Sequence, residues 1–334
     1  MTSWLIGCLI VAALALIVDR LVGYPDWLYG LIRHPVVWIG KLIAVLDARL
    51  NHNEDSFVSR KRAGVVALCT VLAVALLATV PLTLVLRGLP GGLIVEGVLA
   101  ASLIAWRSLS QHVASVADAL DLSLTEGRDA VRHIVGRNPE ALDEQGVAVA
   151  AVESLAENYS DGVVAPLIWL VIGGLPGIAL YKAINTADSM IGYRSERHLA
   201  FGWASAQLDD LVNLPGSRLS AWLFIAAATF RPDTSPARAR RAVQRDAANH
   251  VSPNAGWPEA ALAGALRMTL GGTRSYGDRK VDLATMGEGP PPAGAGDIRR
   301  ALHLCRTATD VLSISLLAGL ALAVILAALR AVSG

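Results

Sequence analysis

Charge is what this chain has least of. Asp, Glu, Lys and Arg make up 17% of its 334 residues and hydrophobic types 54%, and the mean hydropathy is +0.48. An ordinary soluble domain is roughly a quarter charged, so the balance here is that of an integral membrane protein. The charges nearly cancel, 29 basic against 28 acidic. No global field therefore recruits nucleic acid, and no run of basic and aromatic residues supplies a local one. Cysteine is scarce as well. Cys8 and Cys69 lie in apolar runs, where a thiol behaves as a small hydrophobe, and Cys305 is far from both. That argues against a disulfide framework and against zinc-type Cys/His spacing. Two nucleotide motifs are missing: there is no G-x-x-x-x-G-K-[ST] and no G-x-G-x-x-G after a strand, so any nucleotide is bound in some other way. No internal repeat appears, and no alternating pattern is long enough to read as a strand.

Long apolar runs are abundant. A span needs about 20 mostly apolar residues, and clear candidates are residues 1–18, 63–86, 92–106 and 311–330. Residues 3–18 lack a preceding basic residue and continue past Ala13-Leu14-Ala15, so they read as a retained first helix and not as a cleaved signal. Two weaker segments are 163–181, broken by Gly173-Gly174-Leu175-Pro176-Gly177, and 217–230, which is short. The expected fold is all-α and polytopic, with about four to six membrane segments in one membrane-embedded domain.

Lysine and arginine orient it, because cytoplasmic loops are enriched in them. Residues 19–62 carry seven, the turn 87–91 only Arg87, and 231–310 twelve. Loops 19–62, 107–162 and 231–310 are therefore expected in the cytoplasm, the second largely helical and the third containing the flexible stretch GEGPPPAGAGD. Both weak segments then cross, or neither does. A re-entrant helical hairpin broken at Gly173–Gly177 is preferred, because it returns Lys182 to the side of Glu157 and irregular backbone at membrane depth survives where protein or a wet cavity satisfies it.

Polar residues crowd the two mouths of that broken segment. Glu153 and Glu157, four apart, share a helix face if residues 143–157 are helical. Asn158-Tyr159-Ser160-Asp161-Gly162 then favours a turn, in which Asp161 is either a helix cap or a ligand. Past the break, Lys182, Asn185 and Ser189 recur at helical steps, with Asp188 beside them and Arg194 beyond. Cations and carboxylates so close suit a phosphate and its magnesium, while the plain alternative is a solvated helix end with a snorkelling lysine. Asp209-Asp210 precede Arg218, and Asn254, Trp257 and Glu259 form a further polar group. Adjacent aspartates point about 100° apart on a helix, so one of the pair faces any given site. His34, before a proline, reads as structural.

The blocks DRLVGYP, HPVVWIGKLI, HIVGRNPEALDEQGVAVAAVESLAENYSDGVVAPLIW, YKAINTADSMIGYR, FGWASAQLDDLVNLPGSRL and SPNAGWPEAALAGAL together resemble the CobD/CbiB family of cobalamin biosynthesis. They cover most of the chain. GRNPEALDE departs from the family's more usual Asp-Thr after Gly-Arg. The resemblance implies a membrane ligase using ATP and Mg²⁺ to join (R)-1-amino-2-propanol phosphate, or free aminopropanol, to a propionate carboxyl of adenosylcobyric acid. Its product is adenosylcobinamide phosphate. On that basis Glu153, Glu157, Lys182 and Glu259 are expected in catalysis, and Asp161, Asp188 and Asp209 on the metal. Asn158, Asn185, Arg194, Asn254 and Trp257 are expected to bind nucleotide or corrinoid. The expected setting is the cytoplasmic membrane, with the site facing the cytoplasm. Other pathway enzymes, such as a threonine-phosphate decarboxylase, are implied as partners. A corrinoid or small-molecule transporter is the rival of another class, since broken helices are its signature too, and a non-catalytic membrane sensor or scaffold is the third reading.

Overall fold

A computed structural model describes residues 2–134, 139–276 and 279–333; the departing turn at Gly136-Arg137-Asn138 lies outside them. Thirteen helices are described: α1 (Thr2–Leu21), α2 (Asp26–Ile32), α3 (Pro35–Leu50), α4 (Phe57–Arg87), α5 (Gly92–Ala101), α6 (Trp106–Leu122), α7 (Leu124–Arg132), α8 (Glu144–Tyr159), α9 (Ala165–Ile191), α10 (Trp203–Ala227), α11 (Pro236–Asp246), α12 (Gly256–Leu266) and α13 (Ala295–Ser333). One hairpin, β1 (Thr269–Tyr276) with β2 (Arg279–Gly287), interrupts them. The chain divides into two compact units. Residues 1–105, 165–213 and 316–334 form the first, and residues 106–164 and 214–315 the second.

Six helical stretches are long and apolar enough to cross a membrane: Ser3–Leu21, Asp26–Leu50, Phe57–Arg87, Gly92–Leu122, Glu144–Ile191 and Ala295–Ala331. The protein is an all-α polytopic membrane protein. Residues 26–50, expected in a loop, are in the set, and residues 217–230 are not. The former are weak as sequence because their mean hydropathy is 1.3, against 2.6 for Phe57–Arg87, and Arg33-His34 divides them. The latter are the last turns of α10 and the 3₁₀ turn Ala228–Phe230 that ends it, 14 residues where a span needs about 20. Large apolar side chains line the outside of the spans, Leu77 with 75% of its surface open, and likewise Leu84, Ile94 and Ile314. In water each would forgo about 2 kcal/mol of burial, whereas against lipid tails it forgoes nothing.

In the first unit, α3, α4 and α9 share a core of Ile43, Leu68, Val71, Ala183, Ala187, Ile191 and Phe201. α9 is not one straight rod. Gly174 sits at φ 63°, ψ −154°, a conformation essentially confined to glycine. A methyl group on Gly177 would lie 2.2 Å from the Trp169 carbonyl oxygen. Eight residues along a straight helix are about 12 Å apart, so the two arms fold back on one another, as expected of a hairpin. The break is satisfied internally. Leu175 N donates to Glu96 Oε1 (3.3 Å), and Arg87 grips the same carboxylate through Nε (2.9 Å) and Nη2 (3.1 Å). Glu96 is fully buried, and the Arg87 guanidinium lies 3.7 Å from the centroid of the Trp4 ring.

Further polar ties hold the stretch after α9. Asn51 Nδ2 donates to Asp47 Oδ1 (2.7 Å) and to the Arg197 carbonyl (3.1 Å), while Arg60 Nε donates to Asn51 Oδ1 (2.8 Å). Arg197 Nη2 donates to Asp47 Oδ2 (2.8 Å). His34 caps α3 by accepting from Val36 N (3.2 Å), the structural role its position before a proline predicts.

In the second unit, α6 buries Trp106, Leu109, Val113, Val116 and Leu120, one face of a 3.6-residue period. Asp143 caps α8 by accepting from Gly146 N (2.7 Å). α8 does not end in the expected turn: Ser160–Val164 continue it as a π-helix. Such a turn absorbs an extra residue without breaking the helix, so Asp161 has no helix start to cap and that reading is withdrawn. The hairpin packs on α11 and α12. Asp246, on α11, accepts from Gly287 N (2.8 Å) and fixes the end of β2.

Candidate active site

In the first unit the second arm of α9 and the start of α10 bring four of the expected residues together. Asp209 is 8% exposed. Its Oδ2 accepts from Asn213 Nδ2 (2.9 Å) and its Oδ1 from Asn185 Nδ2 (3.3 Å), and Tyr181 Oη in turn donates to Asn213 Oδ1 (2.7 Å). Burial first, then the nearby Asp188 carboxylate, pushes the Asp209 carboxyl up to about 7, against the opposing pull of the two amide bonds. The Asp210 carboxyl, which acts electrostatically on both Asp188 and Asp209, is raised by burial and pulled back by Arg194. Lys182, Asn185 and Asp188 are half-buried and Arg194 is exposed. Lys182 is within electrostatic range of His34. An acid near neutrality at pH 7, held by two amides among other carboxylates, is suited to bind a cation or to pass a proton.

Among the described residues no three His, Cys, Asp or Glu side chains are grouped to chelate a metal unaided. Mg²⁺ keeps its waters and commonly takes one or two carboxylates plus substrate phosphates, and Asp188 with Asp209 supplies two.

The second unit holds the rest. Glu153 and Glu157 do share the α8 face, but Glu153 is buried and its Oε1 accepts from Gly271 N (2.9 Å), whereas Glu157 and Asn158 are exposed. Asn158 Nδ2 donates back to the Ser154 carbonyl (2.9 Å), and Asp161 lies half-buried on the π-turn. At the start of α12, Asn254 Oδ1 accepts from Arg218 Nη1 (2.9 Å) and Ser217 Oγ (3.0 Å), and the Arg218 guanidinium stacks 4.5 Å from the Trp257 ring centroid. Burial lowers the Arg218 pKa. Glu259 is buried with His250 Nε2 3.9 Å from its Oε1. The turn leading in is fixed by Ser252 Oγ, which accepts from Asn254 N and Ala255 N, both at 3.2 Å.

Tyr181, Asn213, Arg218 and His250 are the neighbours that the expected residue set lacks. Tyr181 and Asn213 fall on the helical steps of Asn185 and Asp209, one turn away, and that spacing was the available signal. No spacing links His250 to Glu259. Trp169, a tryptophan at the break, donates its indole N–H to the Val212 carbonyl (3.0 Å) and so serves the packing of the arm.

Fold and polar clusters thus define a class: a polytopic helical membrane protein with buried acid and amide groups, and half-buried arginine beside them, in each of its two units. Comparison with known proteins makes the class specific. The family model described as CobD/Cbib protein matches residues 12–305. The "Cobalamin biosynthesis protein CobD" of Sinorhizobium fredii is 48% identical over 308 residues, covering 91% of this chain and 94% of that one. The protein of the same name from Rhizobium meliloti is 46% identical over 91% and 94% of the two chains. The one from Rhodobacter capsulatus is 48% identical over 87% and 90%. No solved structure matches. The chain belongs to the CobD/CbiB family.

Proposed function

We propose that the protein acts in cobalamin biosynthesis as an ATP-dependent amide ligase. It joins the amine of (R)-1-amino-2-propanol phosphate to a propionate carboxyl of adenosylcobyric acid, giving adenosylcobinamide phosphate. The observation that carries the reading is identity of 48% across nine tenths of both chains with a protein named for cobalamin biosynthesis. The residue chemistry supports the reaction type. A carboxylate and an amine do not condense in water, so the carboxylate oxygen attacks the γ-phosphorus of ATP, ADP leaves, and an acyl phosphate forms. The amine then attacks the acyl carbon, loses a proton, and expels inorganic phosphate. Catalysis of the first step is positioning and neutralisation of phosphate charge.

Each residue type has a task in this scheme. Asp188 and Asp209 would hold Mg²⁺, which would neutralise phosphate oxygens. Lys182 and Arg194 add positive charge to the same oxygens. Glu259, buried with His250 at 3.9 Å, takes the proton from the attacking amine. In the second unit Asn158 and Asn254 suit the peripheral amides of a corrin, and Trp257, backed by Arg218, offers it a flat apolar face; in the first unit Asn185 holds Asp209. Glu153 positions the hairpin through Gly271. Glu157 and Asp161 supply further carboxylate at the α8 end. The protein works in the cytoplasmic membrane with these groups facing the cytoplasm, and a threonine-phosphate decarboxylase supplies its amine.

The test is mass spectrometry on detergent-purified protein given adenosylcobyric acid, aminopropanol phosphate, Mg²⁺ and ATP, with ATP omitted in parallel. ATP-dependent appearance of adenosylcobinamide phosphate is expected. Folded protein that binds the corrinoid and forms no product overturns the reading, and uptake of cobinamide into vesicles would then favour a transporter.

A further inference from the structure

The ligase scheme makes no use of α11, which carries four arginines in eleven residues. Arg238, Arg241 and Arg245 follow one another at steps of three and four, so they share one face. With Gln244, Gly264 and Glu288 they line a pocket of about 450 Å³, inside the range of small-molecule sites. The floor is rigid. A methyl group on Gly264 would meet Ala242 Cβ at 2.6 Å and the Arg238 carbonyl oxygen at 2.8 Å, so α11 and α12 approach as closely as their backbones allow.

The positive charge in this pocket is only partly answered. Arg245 is engaged, by Asp246 (2.6 and 2.7 Å), by the Gly287 carbonyl (3.1 Å) and by Glu288. Arg238 Nε is buried with no hydrogen-bond partner among the described residues, and no ion pair of Arg241 is found among them. A buried N–H without an acceptor is costly to leave, and the planar fork of a guanidinium matches the oxygens of a phosphate. The buried residues of α11 are Ala239, Ala242 and Asp246, Ala242 itself lining the pocket, so the helix buries no large apolar side chain of the kind that enters a bilayer.

We propose that this pocket is a phosphate-binding site, taking the oxygens of a polyphosphate through Arg238 and Arg241, with Arg245 released from Glu288 to complete the set. The same chemistry would accept the headgroup of an anionic lipid. The small buried face of α11 favours the soluble ligand. The further step, that the polyphosphate is that of ATP, rests on the ligase reading; the phosphate chemistry does not.

The test is calorimetric titration of inorganic triphosphate into the detergent-purified full chain and into the double variant R238M/R241M, beside nanodiscs of phosphatidylcholine with and without phosphatidylglycerol. Triphosphate binding that weakens about tenfold or more in the double variant, without competition from phosphatidylglycerol, supports the soluble source. Phosphatidylglycerol binding lost in the double variant, with no triphosphate binding, supports the site with lipid as its source. Equal binding by both proteins, at unchanged thermal stability, overturns the proposal. Should the double variant misfold, R241A alone, at an exposed position, gives the same readouts. Arginine-dependent triphosphate binding in a protein that makes no amide product would leave the site standing and the ligase reading fallen.

Discussion

Asp209 is held where ionising it costs folding free energy, and this fixes a response to pH. Its carboxyl is raised from 3.8 to about 7 by burial and by Asp188, so between those values the folded protein binds more protons than the unfolded chain. Stability from this group is fully present below pH 3.8 and is lost as pH rises through about 7. The melting temperature of metal-free protein should therefore fall between pH 5 and 8, and D209N should flatten that slope; an unchanged slope in D209N would show that Asp209 does not titrate there. Mg²⁺ should restore stability above pH 7 and lose affinity below it. On the other polar cluster, E259Q should lower kcat by about 10²–10⁴-fold, the usual worth of a general base, with corrinoid affinity retained. A loss confined to KM would place Glu259 in binding. At this scale the common face of Lys182, Asn185 and Ser189 was legible, because helical steps of three and four announce it; the meeting of Asn185 with Asp209, on another helix, was not. His250 beside Glu259 was not, since a loop residue has no period.

At the scale of elements, the fold-back in α9 is held by a buried ion pair, Arg87 with Glu96, that also accepts from the Leu175 N–H. Its glycines could be read from sequence; what satisfies them could not, because Glu96 and Arg87 stand alone in separate apolar runs. E96A leaves the Arg87 guanidinium without its buried partner and the Leu175 N–H without an acceptor, at a cost of about 3–5 kcal/mol. G174A forces a side chain into a glycine-only conformation, at about 1–3 kcal/mol, and crowds Arg87 Nη2 at 3.1 Å. Both should lower the melting temperature in detergent by several degrees, and E96Q, which keeps an acceptor, should lower it less. Equal stability of E96A and the parent would remove the ion pair from the fold-back. The hairpin β1–β2 escaped the sequence for a different reason. Gly271-Gly272 sits at its bulge, where the register shifts between Leu270 and Gly272, and glycines there interrupt the alternation by which a strand is recognised. The π-turn escaped as well, because Asn, Ser, Asp and Gly in succession spell a turn in any local reading.

For the whole molecule, length and hydropathy established a polytopic helical protein, but the count of spans depended on residues 26–50, too weakly apolar to stand out. The excess of Lys and Arg in residues 231–310 puts that stretch in the cytoplasm, and since α10 is not among the stretches long and apolar enough to cross, the stretch after α9 is predicted on the same side. A Ser195→Cys variant in a background with the native cysteines replaced should thus react with an impermeant maleimide only after the cells are opened. Labelling of intact cells would invert the orientation. The central claim, activation of a carboxylate by phosphoryl transfer, is tested most directly with adenosylcobyric acid carrying ¹⁸O in its free carboxylate. The ligase account predicts one ¹⁸O in the inorganic phosphate released for each amide formed, with ADP in equal amount. Amide formed with the label absent from phosphate, or no amide from folded protein with both substrates and MgATP present, would contradict it.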